Sequence, residues 1–236
     1  MKRTALMTLV CLFLSGLGWA TSAVEIPNDS FDFGFVPNNS KTSHTFWLKS
    51  VGKDTLKVLK VIPGCGCTQA PLDKKEIAPG DSAALEIIFS SGQRNGKTLK
   101  HPAVLTDDGT GRRMLTFNAE VTHEPLTIKP AVFQPYRLFV SRAGGVDITE
   151  ADFTIENVSD KAISVKVVSS PNGYFKIDLP DKIDPGQKAD CKLTIDKSFL
   201  ENAFEKSVTF EFDDENHTRF SLPIIRRLIG AESAKK

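Results

Sequence analysis

The feature that most constrains the fold is a repeat, because the second half of the sequence carries the same pattern of short apolar segments as the first. HTFWLKSVGKDTLKVLKV (residues 44–61) aligns with ADFTIENVSDKAISVKVV (residues 151–168). Further on, EIAPGDSAALEIIF (residues 76–89) aligns with KIDPGQKADCKLTI (residues 182–195) on a shared Ile-x-Pro-Gly turn. The apolar residues keep the same phase in both alignments. This agreement predicts two copies of one structural unit.

Each unit is predicted to be an all-β sandwich of the immunoglobulin-like type. Runs such as FDFGFV, HTFWLK and SAALEIIF are rich in aromatic and branched residues. Turn-forming residues interrupt them at about the 8–12-residue spacing of sandwich strands, and no long amphipathic helix pattern is present. We therefore predict two tandem immunoglobulin-like domains at residues 24–123 and 124–230, the second a diverged repeat, followed by a tail at residues 231–236.

Residues 1–23 have the layout of a secretory signal peptide. A basic start precedes the apolar run ALMTLVCLFLSGLG, which contains Cys11, and small residues follow up to Ala20 or Ala23. The run is too short to span a bilayer comfortably. We expect cleavage after Ala20 or Ala23 and a periplasmic or secreted mature chain without a transmembrane segment.

The charge balance and the motifs exclude two classes of function. The chain has 30 basic and 29 acidic residues, and two of the basic residues lie in the signal peptide, so the mature charge is 28 − 29 = −1. A near-neutral chain argues against nucleic-acid binding driven by bulk charge. The sequence has no nucleophile elbow, no His-Glu-x-x-His and no phosphate-binding glycine loop, so we predict that it is not an enzyme.

Five segments in the first half, in this order, resemble the bacterial domain-of-unknown-function family 1573: FDFGFV, HTFWLKSVG, LKVLKVIPGCGCT, IAPGDSAALEIIF and NGK. The resemblance covers about residues 29–122. One departure is Val51 before the turn glycine, where the family pattern usually has Asn. The resemblance implies an immunoglobulin-like module of an exported bacterial protein and little about function. The second half keeps only the sandwich pattern.

The segment PGCGCTQ, which sets Cys65 and Cys67 one residue apart, is the main candidate site. In an immunoglobulin-like topology, the start of strand B with His44, the end of strand C, and the start of strand F with His101 share one pole of the sandwich. Three structures are open for the cysteines. They are a tight turn with two thiols, a small disulfide, or a copper(I) or zinc site that uses Cys65, Cys67, His44 and His101.

The internal repeat offers a comparison for these four residues. None of them is retained in the second copy. The residues aligned with His44, Cys65, Cys67 and His101 are, in this order, Ala151, Asn172, Tyr174 and Ser207. Their joint absence suggests a role beyond building the sandwich. Cys191, by contrast, lies in the same alternating phase as Ala189, Leu193 and Ile195, and is predicted to lie in the core.

From these patterns we expect an exported, non-catalytic interaction or scaffolding protein whose partner is another envelope protein. The alternative is a periplasmic metal-binding or thiol-redox protein that uses the Cys65-Gly66-Cys67 segment with His44 and His101. The sequence patterns do not specify an oligomeric state.

Overall fold

The computed structural model describes residues 21–229, and in this range the chain is built almost entirely of β-strands. The helical structure of these residues consists of two single 3-10 turns, at Pro125–Thr127 and Lys197–Phe199. The predicted all-β fold is confirmed. The predicted cleavage region up to Ala20, with Cys11, and the tail at residues 231–236 lie outside the described residues.

No helix within residues 21–229 has the length and apolar character needed to cross a membrane.

The first sandwich contains strands β1–β11 and buries one hydrophobic cluster, whose members lie between Val24 and Val121. The strands are β1 (Val24–Glu25), β2 (Ser30–Pro37), β3 (Lys41–Ser50), β4 (Leu56–Ile62), β5 (Thr68–Gln69), β6 (Glu76–Ile77), β7 (Ser82–Ser90), β8 (Gly96–Lys100), β9 (Ala103–Thr106), β10 (Arg112–Met114) and β11 (Thr116–Thr122).

The second sandwich contains strands β12–β22 and buries a separate cluster, whose members lie between Ile128 and Ile224. The strands are β12 (Ala131–Gln134), β13 (Leu138–Phe139), β14 (Arg142–Ala143), β15 (Val146–Asp147), β16 (Glu150–Asn157), β17 (Val165–Ser169), β18 (Phe175–Asp178), β19 (Lys188–Ile195), β20 (Phe204–Phe212), β21 (Arg219–Arg226) and β22 (Leu228–Ile229).

One layer of the first sandwich has the strand order β1-β3-β7-β5, and its opposite layer contains β4, β9, β8, β11 and β2. β3 and β7 alternate buried apolar and more exposed residues, as expected for strands with one face on the core. In the opposite layer, the segment that forms β8 and β9 changes its pairing partner near Pro102, which has no backbone N–H to donate. Before this point β8 pairs with β11, and after it β9 pairs antiparallel with β4. Among the strands of residues 21–229, none pairs with the edge of β8 that faces away from β11.

The two sandwiches are joined by a continuous sheet with the order β17-β20-β21-β2-β11-β8. β2 of the first sandwich meets β21 of the second at the pair Phe35–Phe220. Gly34 makes this approach possible, because its φ is +62° and a Cβ there would lie 2.2 Å from the carbonyl oxygen of Arg219. The glycine of the FDFGFV segment thus serves the junction between the sandwiches, while Phe31 and Phe33 enter the first core.

Polar contacts of low exposure reinforce the junction. The Lys206 ammonium lies 2.5 and 2.6 Å from the two carboxylate oxygens of Glu86, and both side chains are largely buried. The backbone N–H of Ser43 donates to Ser207 Oγ at 2.9 Å. Ser221 Oγ donates to the Phe33 carbonyl at 2.7 Å. Because a buried polar group is costly unless it is paired, these contacts fix how the two sandwiches dock.

Candidate functional site: the CGC loop

Residues 63–67, here called the CGC loop, carry the chain from one layer of the first sandwich to the other. β4 ends at Ile62 beside β9, and β5 begins at Thr68 beside β7. Gly64 has a φ of +88°, and a Cβ at this position would lie 3.0 Å from the His101 carbonyl oxygen. A glycine is suited to this left-handed, close-packed position. The CGC loop is therefore anchored against the segment between β8 and β9.

Cys65 and Cys67 are joined by a disulfide, with their Cα atoms 5.2 Å apart. Of the three structures that the sequence leaves open, the chain adopts the small disulfide. The backbone around it is held by a bond from Thr68 N–H to the Cys65 carbonyl at 3.2 Å, and by one from Ser90 N–H to the Cys67 carbonyl at 2.9 Å. Both cysteines are half-buried, whereas Gly66 between them is exposed, and a Cβ on Gly66 would have no atom within 4 Å.

The hydroxyl of Thr68 lies beside the disulfide. Its Oγ1 is 3.2 Å from Cys65 Sγ and 3.9 Å from Cys67 Sγ. Thr68 is itself buried, so this hydroxyl is held in place. A donor close to one sulfur stabilises that sulfur as a thiolate, which makes Cys65 the better leaving group when the disulfide is attacked.

His44 lies away from the CGC loop, at the junction of the two sandwiches. Its ring stacks on Phe31 with centroids 3.6 Å apart, and it meets Phe46 edge-on at 4.9 Å. Its Nδ1 is 2.9 Å from Ser169 Oγ on β17 of the second sandwich. Burial lowers the pKa of His44 to about 4, and the positive charge of Arg219 adds to this effect. His44 is therefore an aromatic, neutral component of the junction at neutral pH.

His101 is close to the CGC loop through its backbone rather than through its ring. The imidazole is exposed, and its Nδ1 lies 3.3 Å from Thr116 Oγ1. Within residues 21–229, no three side chains of His, Cys, Asp or Glu come together in an arrangement that could hold a metal ion. The structure thus brings together Cys65 and Cys67 of the four predicted ligands, and does not bring the two histidines to them.

The strand order explains why the four residues do not meet. Thr68 after the CGC loop pairs with Phe89 of β7, and Phe89 pairs on its other side with Thr42 of β3. Since β7 lies between β3 and β5, the two outer strands are about 10 Å apart, which is twice the inter-strand spacing. The topology predicted from the sequence places His44 on the correct strand, β3. However, His44 lies two residues beyond Thr42, the residue of β3 that is level with Thr68, and its ring stacks on Phe31.

The titration of His44 should make the protein less stable at mildly acidic pH. In the folded chain its pKa is about 4, while the ordinary value is 6.5. Below pH 6.5 the unfolded chain binds a proton that the folded chain does not, so stability is lost as the pH falls from about 6.5 towards 4. We expect the contribution of His44 to the free energy of unfolding to fall by about 2 kcal/mol between pH 7 and pH 5.

Urea denaturation of the wild type and of His44→Gln at the two pH values measures this contribution. The variant should show the shallower dependence on pH. His101→Gln is the matched control, because this exposed histidine lies outside the junction, and its slope should match that of the wild type. Equal slopes for the wild type and His44→Gln would contradict the assignment.

Cys191 is buried in the second core as predicted, and burial, with a smaller effect of Asp190, raises the pKa of its thiol to about 12. We expect the mature chain to show no fast-reacting thiol when folded. One thiol should react after denaturation and three after denaturation with reduction. Titration with a chromogenic thiol reagent counts them, and two reactive thiols in the folded protein would contradict the Cys65–Cys67 disulfide.

A cleft between the two sandwiches was not foreseen from the sequence. It has a volume of about 730 Å³. Its floor is the outer face of β2, β11 and β8, and its wall is the turn before β21 together with Lys129. Residues from both halves line it, among them Asp32, Lys97, Leu99, Glu120, Lys129, His217 and Arg219. The docking of the two sandwiches brings these distant segments together, so no local motif could have indicated the cleft.

Comparison with solved structures gives matches of low similarity. A protein of unknown function from Porphyromonas gingivalis W83 matches with 12% identity over 87% of this chain and 99% of its own, at a TM-score of 0.37. The VesB protease of Vibrio cholerae matches with 13% identity over 43% of this chain and 31% of its own, at 0.34. The ASH/PapD-like domain 7 of human CEP192 matches with 13% identity over 51% and 96%, at 0.32. At TM-scores below 0.5 these likenesses assign no function to the chain.

Sequence comparison places the first sandwich in a family. No curated protein matches the sequence. Residues 24–121, which comprise β1 to nearly the end of β11 and include the CGC loop, match the profile of the family described as "Protein of unknown function (DUF1573)". This first part of the chain is therefore a DUF1573 domain, as the order of its motifs predicted.

Proposed function

We propose that the protein is an exported, non-catalytic interaction or scaffolding module that binds another protein of the bacterial envelope. The observation that carries this proposal is the inter-domain cleft, because it is lined by both sandwiches and exists only when they are docked. A signal-peptide pattern at residues 1–23 supports the export.

The lining of the cleft suits a polypeptide surface. Leu99 is 56% exposed on its floor, and it is flanked by the oppositely charged Lys97 and Glu120. Apolar side chains surrounded by charges of both signs are typical of protein–protein contact surfaces. The contact of Lys206 with Glu86 holds the two sandwiches to each other, so a partner would meet a preformed surface.

Site-specific cross-linking in the periplasm tests the proposal. A photoreactive phenylalanine replaces Leu99 in one version and Val51 in the other, since Val51 is equally exposed, at 55%, and lies outside the cleft. We expect one envelope protein to be cross-linked from position 99 and not from position 51. The purified partner should lose at least about tenfold in affinity for Lys97→Glu/Glu120→Lys. The same cross-links from both positions, or a chain retained in the cytoplasm, would count against the proposal.

The disulfide favours a second candidate function, that of a thiol-redox protein. Disulfide-bonded sulfurs are not the thiolates that bind copper or zinc, so the bonded state of Cys65 and Cys67 supports the redox alternative over the metal one. The closed loop is very short, with a sequence separation of 2. The stabilisation that a disulfide gives grows with loop length, so breaking this one costs the fold little.

Equilibration in glutathione buffers, followed by alkylation and mass measurement, tests the redox candidate. We expect a reduction potential above about −300 mV, the bound below which structural disulfides lie. Reduction should lower the free energy of unfolding by about 2 kcal/mol or less. A disulfide that is reduced only when the chain unfolds would exclude a redox role for it.

A further inference from the structure

The unpaired edge of β8 begins where the CGC loop leaves the sheet. Within residues 21–229, β8 pairs with β11 alone, because β4 ends at Ile62 and the chain turns away at Gly64. Gly64 packs against the His101 carbonyl, directly after the last residue of β8. Cys65 and Lys100 are each one Cα step, about 3.8 Å, from this contact. The disulfide thus lies at one end of an open strand edge.

An open strand edge is complementary to one class of ligand, an extended polypeptide. Its unpaired N–H and C=O groups alternate along the strand and are matched by the main chain of an added strand. We propose that an extended, acidic, cysteine-containing segment of a partner protein pairs with β8 and exchanges its thiols with the Cys65–Cys67 disulfide. This inference rests on the redox candidate above and adds its substrate class.

The charge of the edge argues for an acidic segment. β8 carries Lys97 and Lys100. Lys97 lies opposite Glu120 of β11, but neither lysine takes part in an ion pair among the described residues. Lysines on an edge strand disfavour pairing with a second, identical copy, because like charges would face each other. Carboxylates on an incoming strand would satisfy the same lysines. The edge therefore selects against self-association and for an acidic strand.

The chemistry needs no group beyond the two partners. A thiolate of the segment attacks Cys67 Sγ, the Cys65–Cys67 bond breaks, and its electron pair passes to Cys65 Sγ beside the Thr68 hydroxyl. A second thiol of the segment then attacks the mixed disulfide and releases Cys67. The segment loses two electrons and two protons and gains a disulfide, and the protein gains two thiols. One protein molecule oxidises one pair of thiols.

The test uses the mature wild-type protein with two synthetic dithiol peptides of equal length and spacing. One peptide carries glutamates and the other carries lysines, and dithiothreitol serves as a small dithiol. Oxidation of each peptide and reduction of the protein are followed together by alkylation and mass measurement. We expect the acidic peptide to react at least about tenfold faster than the basic one at low salt, with the preference shrinking in high salt.

Two variants assign the effect to particular residues. Lys97→Glu/Lys100→Glu should reverse the peptide preference, measured as the ratio of the rates with the acidic and the basic peptide. Thr68→Val, which keeps the shape of the side chain, should slow the reaction of peptide and dithiothreitol alike by about fivefold to tenfold, because Cys65 loses its hydrogen-bond donor. The double variant Cys65→Ser/Cys67→Ser is the control without exchange.

The outcomes separate this inference from the redox candidate on which it rests. Normal exchange with dithiothreitol and equal rates for both peptides would overturn the β8 assignment and leave the redox candidate standing. No exchange with any dithiol in the folded protein would overturn both. A rate with the acidic peptide that falls as protein concentration rises would show that a second copy occupies the edge, and this would also overturn the inference.

Discussion

Replacing Gly34 with alanine should lower the free energy of unfolding by about 3–4 kcal/mol. A Cβ at this position would lie 2.2 Å from the carbonyl oxygen and 2.4 Å from the carbonyl carbon of Arg219. These atoms are backbone and cannot move aside alone, so β21 would have to shift away from β2. The steric cost adds about 1–3 kcal/mol to the roughly 1–2 kcal/mol that alanine loses in a left-handed conformation.

Gly80→Ala provides the matched control for this prediction. Gly80 also has a positive φ, +80°, but no atom lies within 4 Å of its Cβ position. Its replacement should cost only the conformational part, about 1–2 kcal/mol. Urea denaturation of both variants measures the difference in the free energy of unfolding. Cross-linking from position 99 reports whether the cleft is retained in each variant. Equal losses for the two glycines would mean that the sandwiches are not docked through Gly34.

The strands and cores could be predicted from the sequence because alternating burial leaves a direct trace in residue type. Phe31, Phe33 and Cys191 are buried as their alternation with polar residues indicated. β4 and β9 pair antiparallel, as the assignment to strands C and F required. Burial follows from the residue type at each position of an alternating strand, and the pairing follows from the immunoglobulin-like topology. Neither requires knowledge of how the two sandwiches dock.

The docking of the sandwiches could not be predicted, because the residues that are buried there have the character of exposed ones. Ser43, Ser207 and Ser221 are all at most 3% exposed, although serine in an alternating strand usually indicates the solvent face. Each of the three has a hydrogen-bond partner in the other sandwich, more than 150 residues away in the chain.

The state of the two cysteines could not be predicted for a different reason. A turn with thiols, a disulfide and a metal site all require Cys65 and Cys67 at the same spacing, so the sequence does not separate them. The metal alternative required His44 and His101 beside the cysteines, and the placement of β7 between β3 and β5 keeps His44 away from the CGC loop. The distance between His44 and the cysteines is set by the strand order, which the CGC motif does not specify.

Replacing Arg226 with methionine should lower the free energy of unfolding by about 3–5 kcal/mol, the range measured when a buried pair is broken. The side chain of Arg226 is fully buried, and it forms an ion pair with Asp147. It also donates to the Val140 carbonyl at 2.6 Å and to the Leu200 carbonyl at 2.5 Å. It thus ties β21 to β13–β14 and to the segment after the second 3-10 turn.

Replacing a buried ionic side chain with an apolar one is neutral in some proteins, because the desolvation cost of the charge is also removed. Here the two carbonyl acceptors belong to the backbone and remain after the substitution, so each would be left without the donor it has in the wild type. Asp147 keeps its ion pair with Arg142, at 2.9 Å, and this pair limits the loss. The loss of stability in Arg226→Met should therefore come from the Val140 and Leu200 carbonyls rather than from the Asp147 carboxylate.

Arg227→Met is the matched control, since the neighbouring arginine has a side chain that is 54% exposed and lies 3.7 Å from Glu205. An exposed pair of this kind contributes about 0–1 kcal/mol. Urea denaturation of both variants at neutral pH gives the comparison, and protease cleavage within residues 196–203 reports whether the segment held by Arg226 has loosened. If Arg226→Met is as stable as Arg227→Met, the buried guanidinium does not hold the second sandwich together.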